Sequence, residues 1–306
     1  MMMSDRTVLV FGATGQQGGA VARSLRKEGW KVRAFVRNSA SAAAQELEAE
    51  GCTLVRGDMG DPASIETALA DVYGVFSVQP SSGQGVYGVS DADEVAFGTR
   101  IADLAVRAGV QHFVYSSVAV AGSDPTGMGH FDSKLAIEAH VAKLAIPTTI
   151  VRPSTFMELV MLPGLGLDRG QLTFFTREDQ PTQFIAVGDI GRTVAAVFAQ
   201  PGRFAGQAFE IAGDTVTGPQ LAAKLSKATG RAIEYQRFPD EVLADNAFLA
   251  GLARLFDSGR MASHADIAEL QDLVPGLQTF DTWLAGPGAG LLREALEKEG
   301  AEVALR

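Results

Sequence analysis

Short apolar runs alternate with amphipathic stretches through the first half of the chain. Residues 8–11 form a continuous apolar run followed by glycine, which is typical of a buried parallel strand. Strands separated by helices predict βαβ units, and right-handed crossovers turn such units into a doubly wound parallel sheet, an α/β fold. Five further strands are predicted at residues 32–36, 53–55, 75–78, 112–115 and 148–151. Helices are predicted through Val21 and Leu25 to a stop at Gly29, and at residues 42–50, 62–69, 91–108 and 133–144.

The second half of the chain is less regular and predicts a smaller α+β lobe. We expect this lobe on the carboxyl side of the sheet, where open α/β sheets bind ligands. The first domain is predicted to cover residues 1–153, with residues 184–212 returning to it, and the lobe to comprise 154–183 and 213–306. Within these parts, strands are predicted at residues 172–175, 183–187, 208–211 and 233–238, and helices at 190–198 and 219–228.

Composition and charge exclude several classes of protein. The 306 residues are 46% apolar and 20% charged, as in a globular protein rather than a disordered one. The net charge of −10 lacks the positive footprint of a nucleic-acid-binding protein and gives no attraction to anionic membranes. The single cysteine, Cys52, excludes an internal disulfide framework and suits a reducing cytoplasm. No apolar run reaches about 18 residues and no targeting segment is visible, so we expect a cytoplasmic protein without a membrane or nucleic-acid partner.

A glycine-rich segment joins the first predicted strand to the helix after it. Gly12, Gly15 and Gly18 give the spacing Gly-x-x-Gly-x-x-Gly, a variant of the dinucleotide fingerprint. The first glycine permits a tight turn, the second lets the backbone approach a pyrophosphate, and the third lets helix and strand pack closely, while the helix N-terminus attracts phosphate. The alternative is a glycine-rich turn without a ligand. The predicted phosphate-binding residues are Gly12, Thr14, Gly15, Gln16, Gln17 and Gly18.

The residues after the second predicted strand indicate which dinucleotide binds. NAD sites usually place an Asp or Glu there for the ribose hydroxyls, but no acid occurs between Lys31 and Gln45. Arg37 offers a guanidinium suited to a 2′-phosphate, so we expect a Rossmann domain that binds NADP(H), with an ordinary surface arginine as the alternative. Asp58, after the third predicted strand, either faces the adenine amino group or is a turn residue.

These segments together resemble the NmrA-like branch of the atypical short-chain dehydrogenase/reductase superfamily. The likeness covers most of the chain and is weakest after about Phe204. The matching segments are residues 10–19, 36–38, 57–58, 114–117, 130–134, 151–153, 156–158 and 184–191. The resemblance implies one of two activities. Some members look like NADPH-dependent reductases of quinones, and others bind NADP(H) as sensors that regulate partner proteins with little or no turnover.

The tyrosines separate this chain from standard short-chain dehydrogenases, which use Tyr-x-x-x-Lys with the tyrosine as proton donor. His130 occupies the tyrosine place and Lys134 the lysine place. The resemblance implies that Lys134 contacts the nicotinamide ribose, and a surface lysine is the alternative. The residues four places after the four tyrosines are Ser77, Asp91, Ala119 and Pro239, none of them lysine.

The remaining predicted site residues surround the nicotinamide. His130 is either a general acid, since imidazole titrates near neutral pH, or a structural histidine near the cofactor. Ser116 sits either near the nicotinamide or simply at a strand end, and Pro153 brings backbone close to the ring. The cofactor-binding set is completed by Met59, Gln79, Ser116, Lys134, Pro153 and Phe156. An apolar acceptor pocket, or alternatively the core, is formed by Phe156, Met157, Phe174 and Phe175.

Two functions therefore stay open. The first is an NADPH-dependent oxidoreductase that passes a hydride to a small flat apolar acceptor such as a quinone. The second is a non-catalytic NADP(H)-binding regulator that acts through a protein partner, with the glycine- and serine-rich segment Ser81–Gly88 as a mobile loop ordered by cofactor. No metal site is predicted, because His140 and His264 have no partners at ligand spacing. We expect a monomer or a homodimer.

Overall fold

The computed structural model describes residues 6–82, 88–122 and 124–298. The chain divides into two compact units. The first contains the described residues up to Val118 together with Gly129–Arg152 and Val187–Phe209. The second contains Ala119–Met128, Pro153–Ala186 and the described residues from Glu210 onward. The predicted boundaries differ from this division chiefly at residues 119–128, which a purely sequential boundary assigns to the first domain.

Strands and helices alternate regularly as far as β6 and then give way to shorter elements. Two 3-10 helices, Met157–Met161 and Leu167–Arg169, lie between β7 and β8. The elements in chain order are β1 (Thr7–Val10), α1 (Gln16–Lys27), β2 (Lys31–Val36), α2 (Ala42–Ala49), β3 (Thr53–Arg56), α3 (Pro62–Leu69), β4 (Gly74–Ser77), α4 (Asp91–Arg107), β5 (His112–Ser116), α5 (Gly129–Val141), β6 (Thr148–Pro153), β7 (Thr155–Phe156), β8 (Gln171–Phe174), β9 (Thr182–Ile185), α6 (Val187–Ala199), α7 (Pro201–Phe204), β10 (Gln207–Ile211), β11 (Asp214–Val216), α8 (Gly218–Thr229), β12 (Glu234–Arg237), α9 (Asp240–Asp245), α10 (Ala247–Asp257), α11 (Ile267–Leu273), α12 (Phe280–Ala285) and α13 (Gly288–Glu297).

A seven-stranded sheet in the order β10-β6-β5-β4-β1-β2-β3 dominates the fold. Each neighbouring pair from β6 to β3 is parallel. The strand order reverses at β1, so the chain winds in both directions from the centre, and the predicted doubly wound Rossmann fold is confirmed. Parallel strands covered by helices on both faces must be apolar throughout, and Val8, Leu9 and Val10 of β1 are completely buried.

Helix packing in the first unit depends on small residues at the points of closest approach. α1 meets α6 at Gly191, where a Cβ atom would lie 2.3 Å from the carbonyl oxygen of Ala20. α4 meets α5 at Gly98, where a Cβ would lie 2.6 Å from Cδ1 of Ile137. Both pairs of helices therefore approach each other closely through glycine.

The second unit has its own small sheets and an aromatic core. β11-β9-β7 form a three-stranded sheet, and β12 pairs with β8 in a two-stranded one. Phe175 stacks on Phe256 with ring centroids 5.9 Å apart, and Phe174 packs edge-on against both rings. Among the residues that the structure describes, no helix combines the length and apolar character needed to cross a membrane.

One helix differs from its prediction in a way that matters for the site. α5 begins at Gly129, four residues before the predicted start. This start is not evident from the hydrophobic pattern, because the first position is glycine and the first turn mixes polar and apolar residues. The earlier start places His130 and Lys134 on the same helix, four residues apart and therefore on one face.

Candidate functional site

The glycine segment after β1 forms a cradle that tolerates no side chains at two of its positions. Gly12 has a φ of +66°, and a Cβ there would lie 2.7 Å from Cγ1 of Val78. A Cβ at Gly18 would lie 2.2 Å from the Gly12 carbonyl oxygen. That same oxygen accepts a hydrogen bond from the Gly15 N–H at 2.9 Å, which closes the turn. The loop is therefore shaped by its own backbone.

The N-terminus of α1 is open to an anion. Gly15 is the N-cap and supplies no side-chain acceptor for the N–H groups of the first turn. The exposed residues here are Thr14, Gly15 and Gln16. The first turn also contains no acidic residue that would oppose a phosphate. Backbone donors and the helix dipole thus face a position that a pyrophosphate group fits, and the cradle matches the predicted dinucleotide site.

Two predicted cofactor residues bind each other across the sheet end. Ser116, the last residue of β5, donates from Oγ to Oε1 of Gln17 in α1 at 2.6 Å. Ser117, the next residue, is buried, and its hydroxyl has no hydrogen-bond partner among the described residues. The structure therefore ties Ser116 to the phosphate loop.

The ends of β2 and β3 carry the predicted adenosine-binding residues. Arg37 follows β2 directly and is exposed. Asp58 follows β3, and its Oδ1 accepts the Gly60 N–H at 2.7 Å, so it is at least a turn residue. Met59 is partly buried, and its carbonyl oxygen accepts a hydrogen bond from Arg100 at 2.9 Å. Adenine recognition by Asp58 stays a prediction.

The segment after β4 contributes buried amide and hydroxyl groups. Gln79 is 7% exposed and donates from Nε2 to the Ser77 hydroxyl at 2.7 Å, while its Oε1 has no partner among the described residues. Ser82 donates to Asp91 at the start of α4. Residues 83–87 of the predicted mobile loop lie outside the described residues.

Lys134 is held by a buried carboxylate that sequence analysis missed. Its Nζ lies 2.6 Å from Oε1 of Glu94 in α4 and donates to the His130 carbonyl oxygen at 3.0 Å. Ser133 donates to the second oxygen, Oε2, of Glu94 at 2.8 Å. Glu94 is 1% exposed and the Lys134 side chain 15%. We call Glu94, Ser133 and Lys134 the carboxylate cluster.

His130 stands one turn before Lys134 and is neutral at pH 7. Burial lowers its pKa to about 4, and the nearby Lys134 ammonium adds to that effect, whereas Asp91 and Asp132 oppose it. A neutral imidazole donates a single N–H and carries no positive charge. The lowered pKa argues against His130 as a general acid, because little of the side chain is in the imidazolium form at neutral pH.

The predicted acceptor residues belong to the second unit. Pro153 ends β6 and accepts the Ala119 N–H at 3.1 Å, and Phe156 is partly buried in β7. Met157 is completely buried, and Phe174 and Phe175 belong to the aromatic core described above. Core packing therefore accounts for these last three side chains.

Each described tyrosine packs or hydrogen-bonds within its own unit. Tyr115 is buried in the sheet core, Tyr73 stacks on Trp30, and the Tyr235 hydroxyl bonds with Thr176. Tyr87 lies outside the described residues.

Within the described ranges there is no group of three or more His, Cys, Asp and Glu side chains that could hold a metal ion.

The sequence contains an indication that Glu94 is buried, but this indication is ambiguous. Asp91, Asp93 and Glu94 all lie in the first turn of α4, where the helix dipole favours acids, so none stands out. Glu94 is nevertheless in helical phase with Gly98 and Ile101, which are buried. An acid in phase with an apolar stripe indicates a buried, paired carboxylate.

The fold and the phosphate cradle define a Rossmann-type dinucleotide-binding protein, and comparison with known proteins identifies its family. The family model for the NmrA-like family matches residues 4–284, and the chain belongs to that family. A relative from Aspergillus campestris, described as an NmrA-like family domain-containing oxidoreductase, is 32% identical over 284 residues, which is 84% of this chain and 82% of the relative.

Two solved structures extend the comparison. An NADPH-dependent quinone oxidoreductase from Escherichia coli is 28% identical with a TM-score of 0.70, and the match covers 91% of this chain and 98% of that one. NmrA, a negative transcriptional regulator in complex with NADP, is 22% identical with a TM-score of 0.78, covering 97% and 98%. At 22% identity, the similarity to NmrA is evidence for a shared fold alone.

Proposed function

We propose that this protein is an NADPH-dependent oxidoreductase that passes a hydride to a small flat apolar acceptor such as a quinone. The observation that carries the proposal is the glycine cradle at the open N-terminus of α1. A Cβ at Gly12 would collide with Val78, and a Cβ at Gly18 would collide with the Gly12 carbonyl group. The helix leaves its first N–H groups for an anion. The bound NADPH would supply the hydride.

Different residues of the chain fit different parts of NADPH. The loop from Gly12 to Gly18 holds the pyrophosphate through backbone N–H groups, and Arg37 pairs with the 2′-phosphate. Lys134 donates to the nicotinamide ribose with the one N–H that has no acceptor among the described residues. The protein thus binds and orients the cofactor.

The choice of a quinone as acceptor follows from the side chains that could donate a proton at this site. A ketone reduced to an alcohol needs a well-placed acid, but the chain has no Tyr-x-x-x-Lys pair and His130 is neutral at pH 7. A quinone that accepts a hydride becomes a hydroquinone anion, which takes its proton from solvent and needs no protonated side chain. Similarity to an NADPH-dependent quinone oxidoreductase and to an NmrA-like oxidoreductase supports the same class.

Steady-state reduction of a quinone panel tests the proposal. Purified protein with NADPH should show acceptor-dependent loss of NADPH absorbance, and NADH should be a poorer donor. Gly18→Ala, which forces the loop to shift, is the matched control and should lose turnover at NADPH concentrations that suffice for the wild type. Absence of acceptor-dependent oxidation across the panel, despite measurable NADPH binding, would contradict the proposed reaction.

A second candidate is an NADP(H)-responsive regulator that acts through a protein partner. The missing Tyr-x-x-x-Lys tyrosine favours it, because a sensor needs the cofactor site without the proton donor. Affinity capture with apo and NADP-loaded protein distinguishes the two functions. A partner set that changes with cofactor supports the sensor, and identical sets in both states count against it.

A further inference from the structure

Glu94 is an unusual residue to find inside this fold. It lies in the first turn of α4, is 1% exposed, and uses both carboxylate oxygens, one for Lys134 and one for Ser133. An ionised carboxylate in the interior is unfavourable unless it is paired and hydrogen-bonded. Both conditions are met here, because each carboxylate oxygen of Glu94 has a hydrogen-bond partner and one of these partners is the Lys134 ammonium.

The ion pair is not needed to bring α4 and α5 together. The two helices already meet at Gly98, against Ile137, in a contact too close for a side chain. A well-packed apolar pair in place of a buried ion pair is often as stable or more stable. Packing alone therefore does not explain why the first turn of α4 presents a carboxylate to α5.

What Glu94 does is restrict Lys134. A lysine ammonium normally moves on four rotatable bonds, but this one is fixed between Oε1 of Glu94 at 2.6 Å and the His130 carbonyl oxygen at 3.0 Å. Two of its three N–H bonds thus have acceptors among the described residues. One donor remains, and its direction is set by the other two.

We propose that Glu94 is a positioning residue, which holds the Lys134 ammonium so that its remaining N–H is presented to the cofactor ribose. The inference rests on the proposed function for the role of Lys134, and adds the residue that orients it. Glu94 acts through Lys134 and touches no reacting atom. Ser133 completes the arrangement by fixing the second carboxylate oxygen.

Glu94→Gln tests the proposal with little change in shape. The amide retains an oxygen and a hydrogen-bonding group but loses the charge that fixes the ammonium. Fluorescence titration should show the Kd for NADPH raised roughly tenfold, since a charge-assisted hydrogen bond is lost. Glu138→Gln is the matched control, because Glu138 is also largely buried but pairs with Arg152, and its Kd should stay within about twofold.

A double-mutant cycle shows whether Glu94 acts through Lys134. In the Lys134→Met background, Glu94→Gln should change the NADPH Kd by less than about twofold. The double variant has no unpaired buried charge, so it remains folded even if Lys134→Met alone does not. An unchanged Kd in Glu94→Gln, or additive effects in the cycle, would overturn the proposal.

A cofactor-independent readout separates this proposal from the proposed function. Labelling of Lys134 by an amine-reactive reagent, followed by peptide mass spectrometry, should rise several-fold in Glu94→Gln and stay unchanged in Glu138→Gln. If the wild type fails to bind NADPH, the proposed function is wrong, and labelling still decides whether Glu94 restrains Lys134. Equal labelling in all three proteins would refute that restraint.

Discussion

The phosphate cradle and the carboxylate cluster solve the problem of ligand binding in opposite ways. The cradle is local: Gly12, Gly15 and Gly18 shape a loop whose backbone supplies both the turn and the donors. The cluster is distant: Glu94 and Lys134 are separated by 40 residues and meet only because two helices pack. A backbone site depends on the absence of side chains, whereas a side-chain site depends on balanced charge.

This difference predicts how each region fails. Adding atoms should damage the cradle, because its tight contacts are to backbone that cannot rotate away. Removing one partner should damage the cluster, because the remaining charge stays buried. The predictions below test this contrast, in order of decreasing effect.

Lys134→Met should give the largest loss of stability. It leaves the Glu94 carboxylate buried without its counter-charge, which costs about 3–5 kcal/mol. Urea unfolding at pH 7 measures the change, and Glu94→Gln/Lys134→Met should recover most of it. Arg23→Met removes an exposed ion pair with Glu50 and should cost less than about 1 kcal/mol. Equal losses in Lys134→Met and Arg23→Met would show that the cluster is not a buried-charge site.

The same contrast explains how much was predictable from sequence. The order of strand, glycines and helix at the cradle can be predicted from the sequence, because these elements follow one another closely along the chain. The contacts of its residues with a cofactor stay a prediction. The doubly wound sheet was also predicted, because each buried strand is a short apolar run. Glu94 was missed because its importance depends on Lys134, whose proximity is a consequence of helix packing rather than of spacing along the chain.

The start of α5 and the division of the chain were harder for a related reason. Gly129 and His130 have weak local helix preference, and the helix forms there because α5 packs against α4. Residues 119–128 are separated in sequence from the rest of the second unit, and only tertiary contacts assign them to it. Local patterns carry no information of this kind.

Acid should weaken the first unit through a histidine outside both sites. His112 is completely buried, and burial lowers its pKa to about 4 from 6.5. The unfolded chain therefore binds the extra proton first. The stability due to neutral His112 is complete above pH 6.5 and declines as pH falls towards 4, by about 3 kcal/mol.

Unfolding curves between pH 4 and pH 7 measure this loss. His112 Nε2 lies 2.8 Å from the Thr149 hydroxyl, which itself donates to the Phe204 carbonyl oxygen, so His112→Gln preserves a donor at this place. The variant should show a shallower pH dependence, and the exposed His264→Gln should match the wild type. A parallel decline in His112→Gln would assign the effect to other groups, His130 first among them.

Gly18→Ala should damage the cradle by addition of one carbon. Its Cβ would lie 2.2 Å from the Gly12 carbonyl oxygen and 2.4 Å from the carbonyl carbon, so the loop must shift. The expected rise in the NADPH Kd is on the order of a hundredfold, or about 2.7 kcal/mol. Gly19→Ala is the control, since its closest contacts are 3.2 Å and longer and include a flexible arginine tip. Comparable losses in both variants would remove the special role of the Gly12–Gly18 contact.

Arg37→Glu tests the specificity for the 2′-phosphate. The substitution replaces an attractive charge with a repulsive one at the end of β2, and should weaken NADPH binding about 30-fold, or about 2 kcal/mol. NADH binding should change by less than about threefold. Lys27→Glu makes the same charge change on an exposed residue in the last turn of α1 and controls for net charge. Equal weakening of NADPH and NADH would refute the assignment.

Ser116→Ala should have the smallest effect, because it touches the point where the cradle meets the sheet. Its Oγ donates to Gln17 Oε1 at 2.6 Å, and losing one such bond costs about 1 kcal/mol, equivalent to about a fivefold rise in the NADPH Kd. Ser117→Ala removes a neighbouring hydroxyl that has no partner among the described residues, and should change the Kd less. If Ser116 serves the loop, kcat is unchanged in Ser116→Ala. A fall in kcat with an unchanged Kd would instead place Ser116 beside the nicotinamide, and would make the two regions one continuous site.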